Sequence, residues 1–368
     1  MQIPILNAKR QYESIGAELE QAVLEVMRSG QYITAKYDKL LSEQFAKLCG
    51  TKFALPMGSG TEALHLALAA LGVGPGDEVI TSPFSFIATA EAISYLGATP
   101  VFVDIDPTTF NINPQLIEAK ITPKTKVILP VHLYGLCADM QAIQAIAKKH
   151  NLKIVEDACQ AVGAASPQGM AGSLSDIGCF SFYPTKNLGA SGEGGIVTTN
   201  SEELYHKLKG LRAHGMYVRY YHEMIGYNAR LDEIQCAVVS TKIKYLEKWN
   251  GRRQAIAQKI LAALQNLSAT LPSIPAGYQH VFHQFTLRVK NRDEVIKKLT
   301  DKGIASGIYY PVPIHLQKAY AHLNFKPGLA PVAEQIASEV LSIPCYPELL
   351  DTEVDYMISV LKSVLAAA

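Results

Sequence analysis

Residues 178–195 read Gly178-Cys-Phe-Ser-Phe-Tyr-Pro-Thr-Lys-Asn-Leu-Gly-Ala-Ser-Gly-Glu-Gly-Gly195. The segment starts apolar, sets Lys186 after a Pro-Thr bend, and then places four glycines in the seven residues 189–195. Phe180, Phe182 and Tyr183 can hold the lysine stem, and the glycines let backbone approach a neighbour closely. A desolvated lysine titrates more readily and can act as an amine nucleophile, the requirement for a Schiff base with a carbonyl compound. The segment by itself equally fits a lysine that ends a strand ahead of a surface loop.

Working outward, short apolar runs alternate with helical patterns. Residues 52–57, Val79–Thr81, Pro100–Asp104, Val127–Val131, Ile154–Val155, Gly178–Phe182 and Gly195–Thr198 read as strands. Helices are predicted over 11–29, 37–48, after Thr61, up to Leu96 and near 139–150. Continuous apolar strands separated by helices predict an α/β fold, a mostly parallel sheet covered on both faces. Ligands of such sheets sit beyond the carboxyl ends of the strands. Gly58–Thr61, Phe84–Phe86, His132, Asp157 and Lys186 all fall at those ends. After Pro272 and Pro275 the pattern changes to an alternating strand (Val281, Phe285, Leu287, Val289) and helices near 291–302, 331–341 and 352–366. The reading is a large domain over 1–250, N-terminal helix included, and a smaller C-terminal α/β domain over 251–368.

The 368 residues are enough for two cores, and a net charge of +1 gives no electrostatic footprint for nucleic acid or an acidic membrane. No apolar run is long enough to span a bilayer, and the N-terminus lacks the pattern of a signal peptide, so a cytoplasmic protein is expected. The six cysteines have apolar neighbours and no Cys-x-x-Cys or Cys/His metal spacing, which predicts buried thiols and no metal site.

Gly58-Ser-Gly-Thr-Glu-Ala63, between a strand and a helix, offers backbone N–H groups, a helix dipole and the Thr61 hydroxyl to an anion. It also loosely matches a dinucleotide fingerprint, although the next strand supplies no acid for a ribose. A plain capped turn is the third option. Glu156 or Asp157, at a strand end, could cap a helix or keep a pyridinium nitrogen protonated. Asp157 is the one expected to point past the strand. Phe86 fits a core position or a stack on a ring. His132 and His315 taken singly fit structural roles, and Arg212, Arg219 and Arg230 are potential anion partners.

Together these blocks resemble the fold-type-I pyridoxal-phosphate enzymes, and more narrowly the DegT/DnrJ/EryC1/StrS family of nucleotide-sugar aminotransferases. The resemblance runs through Gly58–Leu64, Pro83–Thr89, Val103–Asp106, Glu156–Gln160, Ser181–Gly189, Gly226–Asp232 and Tyr310–His315. It implies pyridoxal 5′-phosphate as cofactor. Lys186 would form the Schiff base and shuttle the proton, Asp157 would pair with the ring nitrogen, and Gln160 would lie near the ring oxygen. Gly60, Thr61 and Ser181 would hold the phosphate and Phe86 would stack on the ring. Asn228 would reach the phosphate in a neighbouring subunit, making a homodimer with shared active sites. Tyr183, Arg219 and His315 are candidate substrate residues.

Lysine at 186, where the family's dehydratases have histidine, implies transamination. Tyr183 with the Lys-Asn-Leu-Gly run resembles members acting on 3-keto sugars. The expected reaction moves an amino group from L-glutamate to a dTDP- or UDP-linked keto-hexose at C3. A C4 keto-sugar enzyme, a cyclitol aminotransferase and a non-catalytic or regulatory relative are the alternatives. Two departures from the family, Ser59 in place of asparagine and no glycine after Tyr32-Ile33, bear on a turn and on the loop bordering the substrate.

Overall fold

The computed structural model describes residues 1–366. Its centre is a seven-stranded sheet built from β1 (Phe53–Met57), β2 (Glu78–Thr81), β3 (Thr99–Phe102), β4 (Thr125–Leu129), β5 (Lys153–Asp157), β6 (Ile177–Ser181) and β7 (Gly195–Thr199). The order across the sheet is β1-β7-β6-β5-β4-β2-β3. From β3 to β6 the pairings are parallel, whereas β7 runs antiparallel to both β6 and β1. The reversal comes from the segment quoted above: after Ser181 the chain folds straight back through the Lys186 loop, which forms no crossover helix. Every residue of β6 and β7 is buried, as the apolar runs predict for a strand covered on both faces. The two threonines in β7 satisfy their hydroxyls on backbone, Thr198 donating to Gly172 O (2.6 Å) and Thr199 to Asp176 O (2.7 Å).

The carboxyl ends of β1, β2, β4, β5 and β6 share one edge. Gly58–Thr61, Phe84–Phe86, His132, Asp157 and the Lys186 loop therefore meet there, which is the convergence expected from alternation alone.

The boundary at 250/251 falls inside a continuous helix, Leu246–Leu264. Leu246 packs with Phe182 and Val239, and Trp249 with Ile15 and Leu19. About two turns later Ile256, Ala257 and Ile260 join Phe285, Leu287, Leu341, Met357 and Leu361 in a second core. A helix can change cores along its length because its buried stripe, not a linker, decides what it faces. Ile3 also packs in the second core and bridges to Ile304, so the first few residues belong with the C-terminal unit rather than the large domain.

That unit holds an antiparallel pair, Phe285–Arg288 with Val340–Ile343, and helices Arg292–Asp301 and Asp351–Ala366. The predicted strand starts only at Phe285. Residues before it are used elsewhere: Gln279 exchanges backbone bonds with Ala165, and Val281 N donates to Gly135 O (3.0 Å). Helix Pro331–Glu339 stitches the units together. Its Ala333, Ile336 and Ala337 pack on Phe84, Val131 and Tyr134, and the Asp104 carboxylate accepts from Val332 N (2.8 Å) and Ala333 N (2.9 Å) at its positive end. No helix among the described residues is long and apolar enough to cross a membrane.

Candidate active site

A cavity of about 490 Å³ opens at the carboxyl edge of the sheet, where the two units meet. Gly60, Thr61, Phe86, Asp157, Gln160, Ser181, Tyr183 and Lys186 all line it.

The loop carrying Lys186 is fixed from both sides. Lys186 N donates to Tyr183 O (2.8 Å), and Ala190 N to Phe182 O (2.7 Å). The next side chain, Asn187, is buried and donates to Asn250 Oδ1 (2.8 Å) and Val281 O (2.9 Å), so the loop is tied to the start of the helix Leu246–Leu264 and to the segment ahead of Phe285. A Cβ on Gly189 would come within 2.6 Å of Pro184 O, which explains one glycine of the run. With its backbone held, Lys186 presents a half-buried amine to the cavity. Burial pushes that amine below its ordinary value, partly offset by Cys159 and Asp157.

Asp157 takes Thr89 Oγ1 on one oxygen (2.7 Å) and Cys159 N on the other (3.2 Å). Ser85 Oγ lies 2.8 Å from Thr89 Oγ1, so a short hydroxyl chain orients the carboxylate. Glu156, its neighbour, faces away, as alternation along a strand demands. It is fully buried, accepting from Gly172 N, Leu174 N and Ser175 Oγ, each at 2.8 Å, and lying 2.8 Å from His132 Nε2. Ala138 N donates to His132 Nδ1 (3.0 Å), which leaves the proton on Nε2 for Glu156. His132 and Glu156 thus brace the loops beneath the site, and Asp157 is the acid that enters it.

Gln160 is locked by Tyr134 N (2.8 Å) and reaches the Tyr310 hydroxyl (3.1 Å). Ser59 caps the helix Gly60–Ala70 by accepting from Glu62 N (3.1 Å). A Cβ on Gly60 would lie 2.7 Å from Ser181 Cβ, and one on Gly195 would lie 2.4 Å from Ser59 O. These glycines create a cradle of backbone N–H and the Ser181 and Thr61 hydroxyls at a helix N-terminus, suited to a phosphate. The dinucleotide alternative lacks its context, because β1 is an edge strand paired only with the antiparallel β7. Phe86, 55% exposed, stands at the mouth with its ring 6.1 Å from that of Tyr310.

Three predicted residues lie outside this chain's own cavity. His315 is 2% exposed, with Nε2 2.9 Å from Glu334 Oε1 and its ring beside Phe102. It braces the helix Pro331–Glu339 and does not reach the site. Arg219 sits at the tip of the exposed hairpin Met216–Val218/Tyr221–His222, stacked on Tyr220 at 4.9 Å. Asn228 is engaged by Arg230 Nη2 (2.7 Å). Of the other two arginines, Arg230 is the one bonded to Asn228, and Arg212 is buried in an ion pair with Asp38 (2.9 Å).

The cavity also contains residues that sequence reasoning did not single out: Thr89, Glu193, Arg253, His283, Tyr309, Tyr310 and Tyr346. Tyr310 stood inside a quoted block, whose histidine drew the attention instead. Arg253, His283 and Tyr346 carried no local signal, since a lone arginine or histidine in a helical or apolar stretch is uninformative.

A model of the DegT/DnrJ/EryC1/StrS aminotransferase family matches residues 13–362. The chain is 46% identical over 361 residues to a pleiotropic regulatory protein of Geobacillus stearothermophilus, covering 97% of each. It is 45% identical over 363 residues to the UDP-N-acetyl-3-dehydro-alpha-D-glucosamine 3-aminotransferase of Acidithiobacillus ferrooxidans, covering 99% of this chain and 98% of that one. The crystal structure of S. venezuelae DesV in complex with a ketimine intermediate superposes with a TM-score of 0.97 at 42% identity, covering 98% of each chain.

Proposed function

The chain belongs to the DegT/DnrJ/EryC1/StrS aminotransferase family, and from that premise we propose that it moves an amino group from L-glutamate to a nucleotide-linked 3-keto-hexose. The observation that carries this reading is the meeting, in one cavity, of the Lys186 amine, the Asp157 carboxylate and the Gly60/Ser181 cradle.

Members of this family depend on pyridoxal 5′-phosphate. The residues fit that group: a cradle that any Cβ at Gly60 would fill, a carboxylate held by Thr89, and an amine made easier to deprotonate by burial. Gly60, Thr61 and Ser181 would take its phosphate, Asp157 its ring nitrogen, Gln160 its ring oxygen, and Phe86 its face. When bound, the cofactor supplies an electron sink for the carbanion formed on proton removal. The protein's part is orientation and proton handling. Lys186 takes and returns the proton at the reacting carbon. Asp157, oriented by Thr89 and Cys159 N, holds a proton on the ring nitrogen. Asn228, outside its own cavity, is assigned to the partner's phosphate in a homodimer, and Arg219 on the exposed hairpin to the partner's substrate.

The acceptor is read as a dTDP- or UDP-linked sugar aminated at C3. Tyr183 and the Lys-Asn-Leu-Gly run support this, as does the 3-aminotransferase among the relatives. The regulatory name of another relative keeps a non-catalytic role in view, but the lysine, acid and cradle are all present here.

Purified protein incubated with the cofactor should show a Schiff-base absorbance band that disappears in Lys186→Ala. Loss of general acid–base function should then lower turnover by at least ~10²–10⁴-fold. Absence of the band in the wild type defeats the enzymatic reading. Single-turnover amination of a panel of 3-keto and 4-keto nucleotide sugars tests the position, and reaction with 4-keto compounds alone overturns C3.

A further inference from the structure

The Asp157 carboxylate is held by uncharged donors. Thr89 Oγ1 donates to one oxygen (2.7 Å) and Cys159 N to the other (3.2 Å). The titratable groups beside it are Cys159, Cys179, Tyr310 and Lys186. Burial pushes the two thiols and the phenol up, so all three are neutral, and pushes the Lys186 amine down. A guanidinium in direct contact would neutralise the carboxylate and compete with a positive ring nitrogen for it. Hydroxyl and amide donors fix the side chain and leave its charge for the ring.

The direction of this chain follows from its inventory of protons. An ionised carboxylate only accepts, so the Thr89 hydroxyl hydrogen points at Asp157. Thr89 Oγ1 is then the acceptor in its 2.8 Å contact with Ser85 Oγ, which makes Ser85 the donor. A hydroxyl that accepts one hydrogen bond donates a stronger one, so Ser85 strengthens the bond from Thr89 to Asp157. Ser85, Thr89 and Asp157 are all buried, and in that low-dielectric setting each of these bonds counts for more than it would in water. Ser85 and Thr89 belong to the turn after β2 and to the helix Ala88–Ser94, whereas Asp157 ends β5, so the chain exists only once those segments pack together.

Building on the aminotransferase reading, we propose that Thr89 is a positioning residue for the reaction, and that the chain from Ser85 through Thr89 to Asp157 decides where the proton between the carboxylate and the cofactor's ring nitrogen resides. Donors on a carboxylate favour its ionised form, so the proton stays on nitrogen and the ring draws electrons more strongly. Without the Thr89 donor the proton passes to the carboxylate: the N–H bond breaks, an O–H bond forms, and the ring loses its positive charge. The hydroxyl of residue 89, not its bulk, carries the effect.

The test uses Thr89→Val, which keeps the branched shape and removes the donor, Thr89→Ser, which keeps the donor, and Ser85→Ala. Each protein is loaded with pyridoxal phosphate carrying nitrogen-15 in the ring, whose NMR shift reports whether that nitrogen is protonated. The pH midpoint of the Schiff-base absorbance band and the turnover are measured in parallel. Thr89→Val should move the nitrogen signal towards the unprotonated position, displace the band's midpoint, and lower turnover about ten- to a hundred-fold, the worth of a hydrogen bond to a charged group. Thr89→Ser should restore all three. Ser85→Ala leaves Thr89 bonded to Asp157 and should show the same changes in smaller measure, with turnover down several-fold. A merely structural role would lower stability without moving the nitrogen signal of the folded, loaded protein. Thr89→Val with its ring nitrogen protonated as in the wild type overturns the proposal, as does Thr89→Ser that behaves like Thr89→Val. Should Thr89→Val not fold, Ser85→Ala decides, and an unchanged nitrogen signal there overturns the proposal. These outcomes leave the aminotransferase reading intact, whereas wild type that forms no Schiff-base band refutes that reading and the proposal with it.

Discussion

Gly60→Ala is a small change with a calculable consequence. The added Cβ would lie 2.7 Å from Ser181 Cβ and 3.1 Å from Cys159 Sγ. Ordinary carbon contacts are about 3.5–4.0 Å, so roughly 1 Å must be found. Neither neighbour yields readily, since Ser181 ends the fully buried β6 and Cys159 follows β5. Such overpacking costs about 1–3 kcal/mol. Alanine's helical preference over glycine returns up to about 1 kcal/mol, leaving a net loss of roughly 0–3 kcal/mol, 1–2 at mid-range, and a melting temperature lower by a few degrees. If Ser181 holds the phosphate as proposed, displacing its hydroxyl would also remove a charge-assisted hydrogen bond, and pyridoxal-phosphate affinity should fall about ten- to a hundred-fold. Gly251→Ala is the control. Gly251 is exposed in the helix Leu246–Leu264, and its Cβ would meet nothing within 4 Å. That variant should gain about 0.8–1 kcal/mol and bind the cofactor as wild type does. Thermal denaturation of both apo variants and fluorescence titration with the cofactor make the comparison. Gly60→Ala that is no less stable than wild type and keeps full affinity would refute the steric account of the cradle.

Burial pushes the Lys242 amine from 10.5 down to about 8, and its ammonium donates to Gly189 O (2.8 Å). The folded value lies below the unfolded one, so the unfolded chain binds more protons between about pH 8 and 10.5 and stability should climb with pH there. Lys242→Met should remove that climb, about 3 kcal/mol in all, in urea titrations at pH 7.5 and 10; an unaltered slope would place the effect elsewhere. Arg212→Met leaves the Asp38 carboxylate buried without its partner and should cost about 3–5 kcal/mol. Adding Asp38→Asn should recover part of that loss in chemical denaturation, and a double variant no better than the single would contradict the ion-pair account.

Much of the site was legible because its demands are local. A lysine bounded by aromatics and glycines, a Gly-Ser-Gly-Thr turn ahead of a helix, and an acid at a strand end each announce themselves within a few residues. The alternation of apolar strands and helices then brings them to one sheet edge without knowledge of any side-chain contact. Direction and partnership were not legible. Nothing local marks β7 as the reversed strand, or shows that Leu246–Leu264 changes cores partway along its length.

The same limit explains the residues that moved. His315 carries the same imidazole whether it meets a substrate or Glu334, and only the packing of the helix Pro331–Glu339 selects the second. Arg253 looks like any helical arginine, because the carbonyls it meets, those of Phe282 and Cys345, lie some 30 and 90 positions away in the chain. By itself, then, the sequence determined the chemistry of the cofactor end, whose groups are set by short-range backbone requirements. Tertiary structure alone decided which histidine is structural and which residues of the C-terminal unit line the cavity. Those outcomes rest on burial and on contacts between the two units, and neither is a property of any single stretch of chain.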